Sequence, residues 1–257
     1  VKLSALHPRY EVAKRERVLS ELTPRLLELA QRAHAHGIGM TIDAEEADRL
    51  ELSLDVIGAV FADPSLEGWN GFGMVVQTYQ KRAPFVIDWL VETARKANRR
   101  WCVRLVKGAY WDSEIKRAQE AGLIGYPVFT RKPNTDVSYL ACARQLFDAG
   151  ADLVYPQFAT HNAHTIASIQ HLANGRPFEY QRLHGMGVDL YNEVIGPKNI
   201  NVPCRVYAPV GSHEDLLPYL VRRLLENGAN TSFVNRIVDE DVSIRELVAD
   251  PCEVVRQ

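Results

Sequence analysis

Several short apolar stretches of this chain end on, or just before, a side chain that can do chemistry: Asp43, Gln77, Arg104 with Lys107, Thr160 with His161, His184, and Tyr207. Each has a plain structural explanation. Asp43 could cap a helix ahead of Ala44-Glu45-Glu46. Lys107 precedes Gly108 and could lie in a turn, and His161 and His164 could be loop or capping residues. Taken as a ring, the same residues read as a site. A second group lies in Leu216–Asn235, LLPYLVRRLLENGANTSFVN. Ser212 with Asp215 three residues on forms a capping-box pattern, and Gly228 is a candidate C-terminal cap. On the helix between them Tyr219, Arg222, Arg223 and Glu226 fall within about 100° of one another. Leucines 216, 217, 220, 224 and 225 take much of the remaining surface. Such a stripe can be a solvated face with an Arg222–Glu226 pair, contributing a few tenths of a kcal/mol. It can equally be a clamp for a carboxylate or phosphate, because guanidinium forks bind those groups bidentately. The segment alone leaves both open.

Other chemistries are poorly served. His161, His164 and His184 lack carboxylate partners and the HExxH spacing, so no metal is expected. A GxSxG nucleophile elbow and a phosphate-binding P-loop are absent. Lys107 at a strand end could form a Schiff base, so a flavin-free barrel lyase is the rival reading.

These residues need elements to position them. Apolar runs rich in β-branched residues recur at Val1–Leu6, Gly39–Ile42, Gly73–Gln77, Cys102–Lys107, Leu153–Phe158, Phe178–Leu183 and Cys204–Val210. Amphipathic helical patterns separate most of them, among them Val18–Ala35 (with Thr23-Pro24 as a cap or break), Ala47–Ala62, Pro84–Ala97 and Val137–Ala149. Ser243–Asp250 reads as a trailing helix or exit segment. Strands alternating with helices imply parallel pairing through crossovers. The expected fold is an α/β, TIM-like (βα)8 barrel across residues 1–257, with its first strand missing before Val1. A doubly wound sheet is the competitor, and it would usually show a Gly-rich turn after its first strand; Leu6-His7-Pro8-Arg9-Tyr10 stands there instead. The chain of 257 residues is 46% hydrophobic and 24% charged with a net charge of -2, which suits one large domain and gives no sign of a nucleic-acid partner. Cys102, Cys142, Cys204 and Cys252 form no CxxC pair and read as reduced, mostly buried thiols of a cytoplasmic protein. No apolar run could span a bilayer, and no signal peptide opens the chain. The abrupt start without Met suggests a piece of a longer protein.

The strings around these residues resemble the proline dehydrogenase domain of bifunctional proline utilization A flavoenzymes. They are KLSALHPRY at Lys2–Tyr10, IDAEEADRLE at Ile42–Glu51, QTYQKR at Gln77–Arg82, RLVKGAYWDSEIKRAQ at Arg104–Gln119, YPQFATHNAHT at Tyr155–Thr165, LHGMG at Leu183–Gly187, CRVYAPVG at Cys204–Gly211, and YLVRRLLENGANTSFVNR at Tyr219–Arg236. The resemblance implies a barrel that holds FAD at the carboxyl ends of its strands and oxidises L-proline to Δ1-pyrroline-5-carboxylate. A hydride would pass to flavin N5 and the electrons on to a quinone. Gln77, Arg104, Val106, Lys107, Gly108, Trp111, Thr160, His161 and Glu226 would contact the cofactor, Arg104 near N5. Lys2, Arg222 and Arg223 would hold the substrate carboxylate, while Asp43, Ala109, Tyr110, Leu183, Tyr207 and Tyr219 would shape the pocket. Lys2, Asp43, Arg104, Tyr207, Arg222 and Arg223 form the expected catalytic set, and the intact Asp43, Arg104, Lys107, Arg222 and Arg223 argue against an inactive interaction domain. A cytoplasmic location is implied, with room for peripheral contact at the inner membrane face through the parent protein. Two departures stand out. The family carries a strand ahead of Lys2–Tyr10, with an acidic residue near its end, and Val202 stands where a basic residue is expected.

Overall fold

The structure, a computed structural model, describes residues 1–228 and 243–256; the side chains of Asp215 and of residues 222–228 lie outside that description. The chain divides into two compact units, Val1–Gln157 with Gly175–Pro177, and Phe158–Asn174 with Phe178–Gln257.

In the first unit β1 (Met40–Ile42), β2 (Phe72–Gln77) and β3 (Trp101–Val106) lie side by side in that order, and the first part of β4 (Val154–Ala159) follows. β1, β2 and β3 are parallel, with Ile42 opposite Met74, Val75 opposite Arg104, and Gln77 opposite Val106. Parallel neighbours need crossovers. Helices α3 (Leu50–Phe61) and α4 (Ala83–Ala97) supply two, and α5 (Trp111–Glu120) with α6 (Lys132–Asp148) supplies the third. Because side chains alternate along a strand, register sorts them onto faces. Phe72, Met74, Val76, Trp101, Val103 and Leu105 share one face and are all buried. Phe61 of α3 stacks on Trp101 there, ring centroids 3.6 Å apart. Thr41, Asp43, Val75, Gln77, Arg104 and Val106 share the other. One face thus builds the core under the helices, and the other carries the polar strand ends.

Two expectations fail in this unit. Val1–Leu6 is not a strand: Leu3–Leu6 forms a short helix, α1. Leu3 is buried and Leu6 half-buried, the i,i+3 spacing of a helical turn. Only Val1 pairs with β1, its amine donating to the Thr41 carbonyl at 2.7 Å and its carbonyl accepting from the Asp43 N–H at 2.8 Å. Nor does Pro24 break a helix. α2 (Arg15–Ala35) runs through it, holding a buried stripe of Val18, Leu22, Leu26 and Ala30 on every fourth residue. Pro24 itself faces solvent, where the carbonyl that loses its partner can be hydrated.

In the second unit the end of β4, β5 (Glu179–Leu183) and β6 (Cys204–Tyr207) again follow chain order. β5 and β6 are parallel, with Gln181 opposite Arg205 and Leu183 opposite Tyr207. Helix α7 (Ala163–Ala173) makes the crossover before β5, α8 (Val188–Asn192) lies between β5 and β6, and α9 (His213–Gly228) follows. Short helices at Ile244–Leu247 and Pro251–Arg256 come after. Phe158, Phe178, Tyr180 and Tyr191 meet edge to face. The two buried hydroxyls are satisfied, Tyr180 donating to the Ile166 carbonyl and Tyr191 to that of Thr160, each at 2.8 Å.

The six described strands are mostly parallel and in chain order, with no reversal of the kind a doubly wound sheet contains. That is the winding of part of a TIM-like barrel. Of the four cysteines only Cys142 is buried; Cys102, Cys204 and Cys252 are half-buried, and all four are free thiols. No described helix is long and apolar enough to cross a membrane.

Candidate active site

The first unit brings together most of its expected residues. Arg104 rises from β3 and donates to Asp43, just past β1, at 2.9 Å. The sequence offered Asp43 as a helix cap, but the following 3-10 turn, Ala47–Arg49, has no side-chain cap and Asp43 instead holds a cation. Gln77 ends β2 and is buried. Its amide donates to the Glu45 carbonyl at 2.8 Å and accepts from the Ala109 N–H at 3.4 Å, tying the loops after β1 and β3 to β2. Lys2, ahead of α1, donates to the Tyr110 hydroxyl at 3.2 Å.

The turn after β3 needs a glycine. Gly108 has φ +147°, and a Cβ there would run into the Tyr79 ring. Ala109 and Tyr110 lead from it into α5, whose first residue Trp111 is 44% exposed, with its indole donating to the Phe129 carbonyl at 2.8 Å. Behind the turn the buried Glu114 accepts from the Ala47 N–H at 2.7 Å, and burial pushes its carboxyl above the ordinary range.

Lys107 behaves differently. One residue past Val106, it turns by alternation to the opposite, helix-covered side of β3, where it donates to Asp136 of α6 at 2.5 Å and lies 5.9 Å from the centre of the Tyr139 ring. Burial lowers its amine below the usual lysine range, with Asp136 pulling the other way. Burial would raise Asp136, but Lys107 and Lys132 together hold it below the usual carboxylate range. Sequence reasoning missed Asp136; its only local signal is Lys132 four residues earlier on the same helix, 2.8 Å away.

The second unit carries its own set. The Thr160 hydroxyl accepts from the Asn162 N–H at 3.2 Å, and Asn162 caps α7. His161 Nε2 accepts from the Leu183 N–H at 3.3 Å, which ties the loop after β4 to the end of β5. Leu183 is buried and Tyr207, its register partner, half-buried. Tyr219 is half-buried on α9, while the His184 side chain is exposed and its backbone N–H donates to the Tyr207 carbonyl at 2.9 Å. Arg222, Arg223 and Glu226 belong to α9, but their side chains lie outside the described residues. Among the described residues no group of three or more His, Cys, Asp or Glu is placed to hold a metal ion.

Comparison with known proteins bears on what this set does. The sequence model of the family described as Proline dehydrogenase matches residues 1–236. The bifunctional protein PutA of Salmonella typhimurium is 62% identical over 100% of this chain and 20% of its own length. A crystal structure of a Bradyrhizobium japonicum proline utilization A mutant superposes with a TM-score of 0.95 at 58% identity, covering 100% of this chain and 26% of that one. One from Bdellovibrio bacteriovorus, inactivated by N-propargylglycine, gives 0.93 at 32% identity over 99% of this chain and 27% of that one. The chain therefore spans about a fifth to a quarter of these relatives' length.

Proposed function

On the premise that the chain belongs to the proline dehydrogenase family, we propose that it oxidises L-proline to Δ1-pyrroline-5-carboxylate, with FAD as immediate electron acceptor and a quinone as the final one. The observation that carries this reading is the polar face of the first unit. There Asp43, Gln77, Arg104 and Val106 share one side of three parallel strands whose other side is apolar and buried.

The residues present fit a flavin dinucleotide. Gln77 and Arg104 offer an amide and a guanidinium at strand ends, Gly108 and Ala109 expose backbone, and Trp111 presents a half-open indole surface. Thr160, His161 and Glu226 extend the proposed cofactor contacts, with Val106, Gly108 and Lys107, the last reaching from the end of β3 where it also donates to Asp136. FAD, when bound, takes up the electron pair that proline loses.

The protein's part is binding and orientation. Lys2, Arg222 and Arg223 hold the substrate carboxylate, since guanidinium forks match its planar oxygens. Tyr110, Leu183, Tyr207 and Tyr219, with Ala109, wall in a small saturated ring and exclude water. Asp43 orients Arg104, and the fixed guanidinium would stabilise the negative charge that a bound flavin gains on reduction. Proline must react as the neutral amine, because the nitrogen lone pair drives the oxidation. We place this chemistry in a (βα)8 barrel that includes the six described strands, in a cytoplasmic protein that meets the quinone at the inner membrane face.

The Schiff-base lyase reading is less well supported. The Lys107 ammonium is engaged by Asp136 on the helix-covered side of β3, not on the face of Asp43 and Arg104. The test is turnover of the purified protein with L-proline and a short-chain quinone, with products read by mass spectrometry. A product lighter than proline by one pair of hydrogens supports the proposal. Borohydride-dependent trapping of a carbonyl substrate on Lys107, with no such product, replaces it with the lyase.

A further inference from the structure

Beneath the expected pocket wall of the second unit lies a polar cluster that the proposed chemistry does not use. Gln181 is the register partner of Arg205, and Leu183 that of Tyr207. Alternation puts Glu179, Gln181, Leu183, Arg205 and Tyr207 on one face, with the polar residues one step below the wall. Glu179 and Gln181 are 4% and 1% exposed. The Arg205 guanidinium reaches diagonally across the strands to Glu179, Nε to Oε1 at 2.9 Å and Nη2 to Oε2 at 3.1 Å. The Gln181 amide donates to the same Oε1 at 2.7 Å. A bidentate fork of this kind fixes direction as well as distance. Removing one partner from a buried carboxylate is costly, which holds the fork in place. β6 is four residues long, so few ladder bonds hold its alignment.

We propose that the Glu179–Gln181–Arg205 cluster is a positioning device: it locks β6 against β5 and so sets where Tyr207 and Leu183 stand around the substrate ring. This rests on the proline dehydrogenase reading. Slippage of the wall loosens the fit around proline and removes contacts made equally in the ground state and the transition state. The cluster leaves the cations that grip the carboxylate untouched. Its loss therefore weakens substrate binding and spares the chemical step.

The test is steady-state kinetics of the purified flavin-loaded protein with L-proline, alongside FAD content and Tm. Arg205 suits it because its side chain is 63% exposed, so replacement disturbs no core. Arg205→Gln is expected to raise KM about 10-fold, as for a loss of uniform binding, with kcat within about threefold and FAD content unchanged. Arg205→Lys, which keeps charge without the fork, is expected in between. Glu179→Gln combined with Arg205→Gln is expected to do no worse than Arg205→Gln alone, since it removes the stranded buried charge. A lower Tm with an unchanged KM in every variant would overturn the proposal and leave the cluster a stability feature. If the unsubstituted protein fails to turn over proline at all, the functional reading falls and this proposal with it, an outcome distinct from the first.

Discussion

Removing Asp43 is the sharpest perturbation of the polar face. At 2.9 Å its carboxylate and the Arg104 guanidinium attract by about 6 kcal/mol at an effective dielectric of about 20. Most of that is offset by desolvation and screening. The Asp43 side chain is 36% exposed and that of Arg104 16%, which places the pair between a rim contact and a buried one. Rim pairs contribute about 0–1 kcal/mol, while stranding one partner of a buried pair costs roughly 2–5 kcal/mol. An intermediate about 1–3 kcal/mol is therefore expected for Asp43→Ala, a fall of roughly 5- to 150-fold in kcat/KM for L-proline. Asp43→Asn should lose less, because its oxygen still accepts from Arg104 but as a neutral partner of about half the strength. The assay is proline-dependent reduction of an artificial acceptor, normalised to bound FAD. Wild-type kcat/KM in Asp43→Ala at full FAD content would show that orienting Arg104 contributes nothing to the reaction.

Three further outcomes are expected. Arg222→Met and Arg223→Met should each lower kcat/KM by about 30-fold or more, from roughly 2–5 kcal/mol for a lost charged partner, with Lys rescuing partly and FAD retained; near-normal kinetics in both would leave the stripe a solvated face. Gly108→Ala should lower Tm by at least about 3 °C, since roughly 1–3 kcal/mol of strain at φ +147° is compounded by the Tyr79 ring; an unchanged melting curve would mean the turn relaxes freely. Glu114 is raised above its ordinary 4.5 by burial, so its favourable contribution is complete below that pH and is lost as pH rises through the raised value. Glu114→Gln, which can still accept from Ala47, should accordingly raise Tm near neutral pH, with the gain fading below about pH 4.5; a gain that grows toward acid would reverse the assignment.

What could be read in advance follows from the range of the forces involved. β2 and β3 were legible because each is a short β-branched run bounded by turn residues, and their ends named Gln77 and Arg104. Asp43 was visible only as a choice between cap and site, and what removes the cap is its pairing with a residue 61 positions away. The opening segment misled because in Val1–Leu6 a period of two through Val1 and Leu3 and a spacing of three from Leu3 to Leu6 both fit; burial of Leu3 chose the helix. Pro24 misled because its cost depends on which side of the helix meets water. The side taken by Lys107, the partner Asp136, and the diagonal from Glu179 to Arg205 all depend on strand register and helix docking, which no local pattern carries.

The proposed activity turns on a flavin that proline itself reduces. The direct measurement is the visible spectrum of the purified protein under anaerobic conditions, before and after excess L-proline, followed by addition of a quinone. The expected result is a yellow protein whose flavin band bleaches with proline and returns with the quinone, and whose chromophore is released completely on acid precipitation. A colourless protein, or a flavin band that proline leaves unchanged, would contradict it.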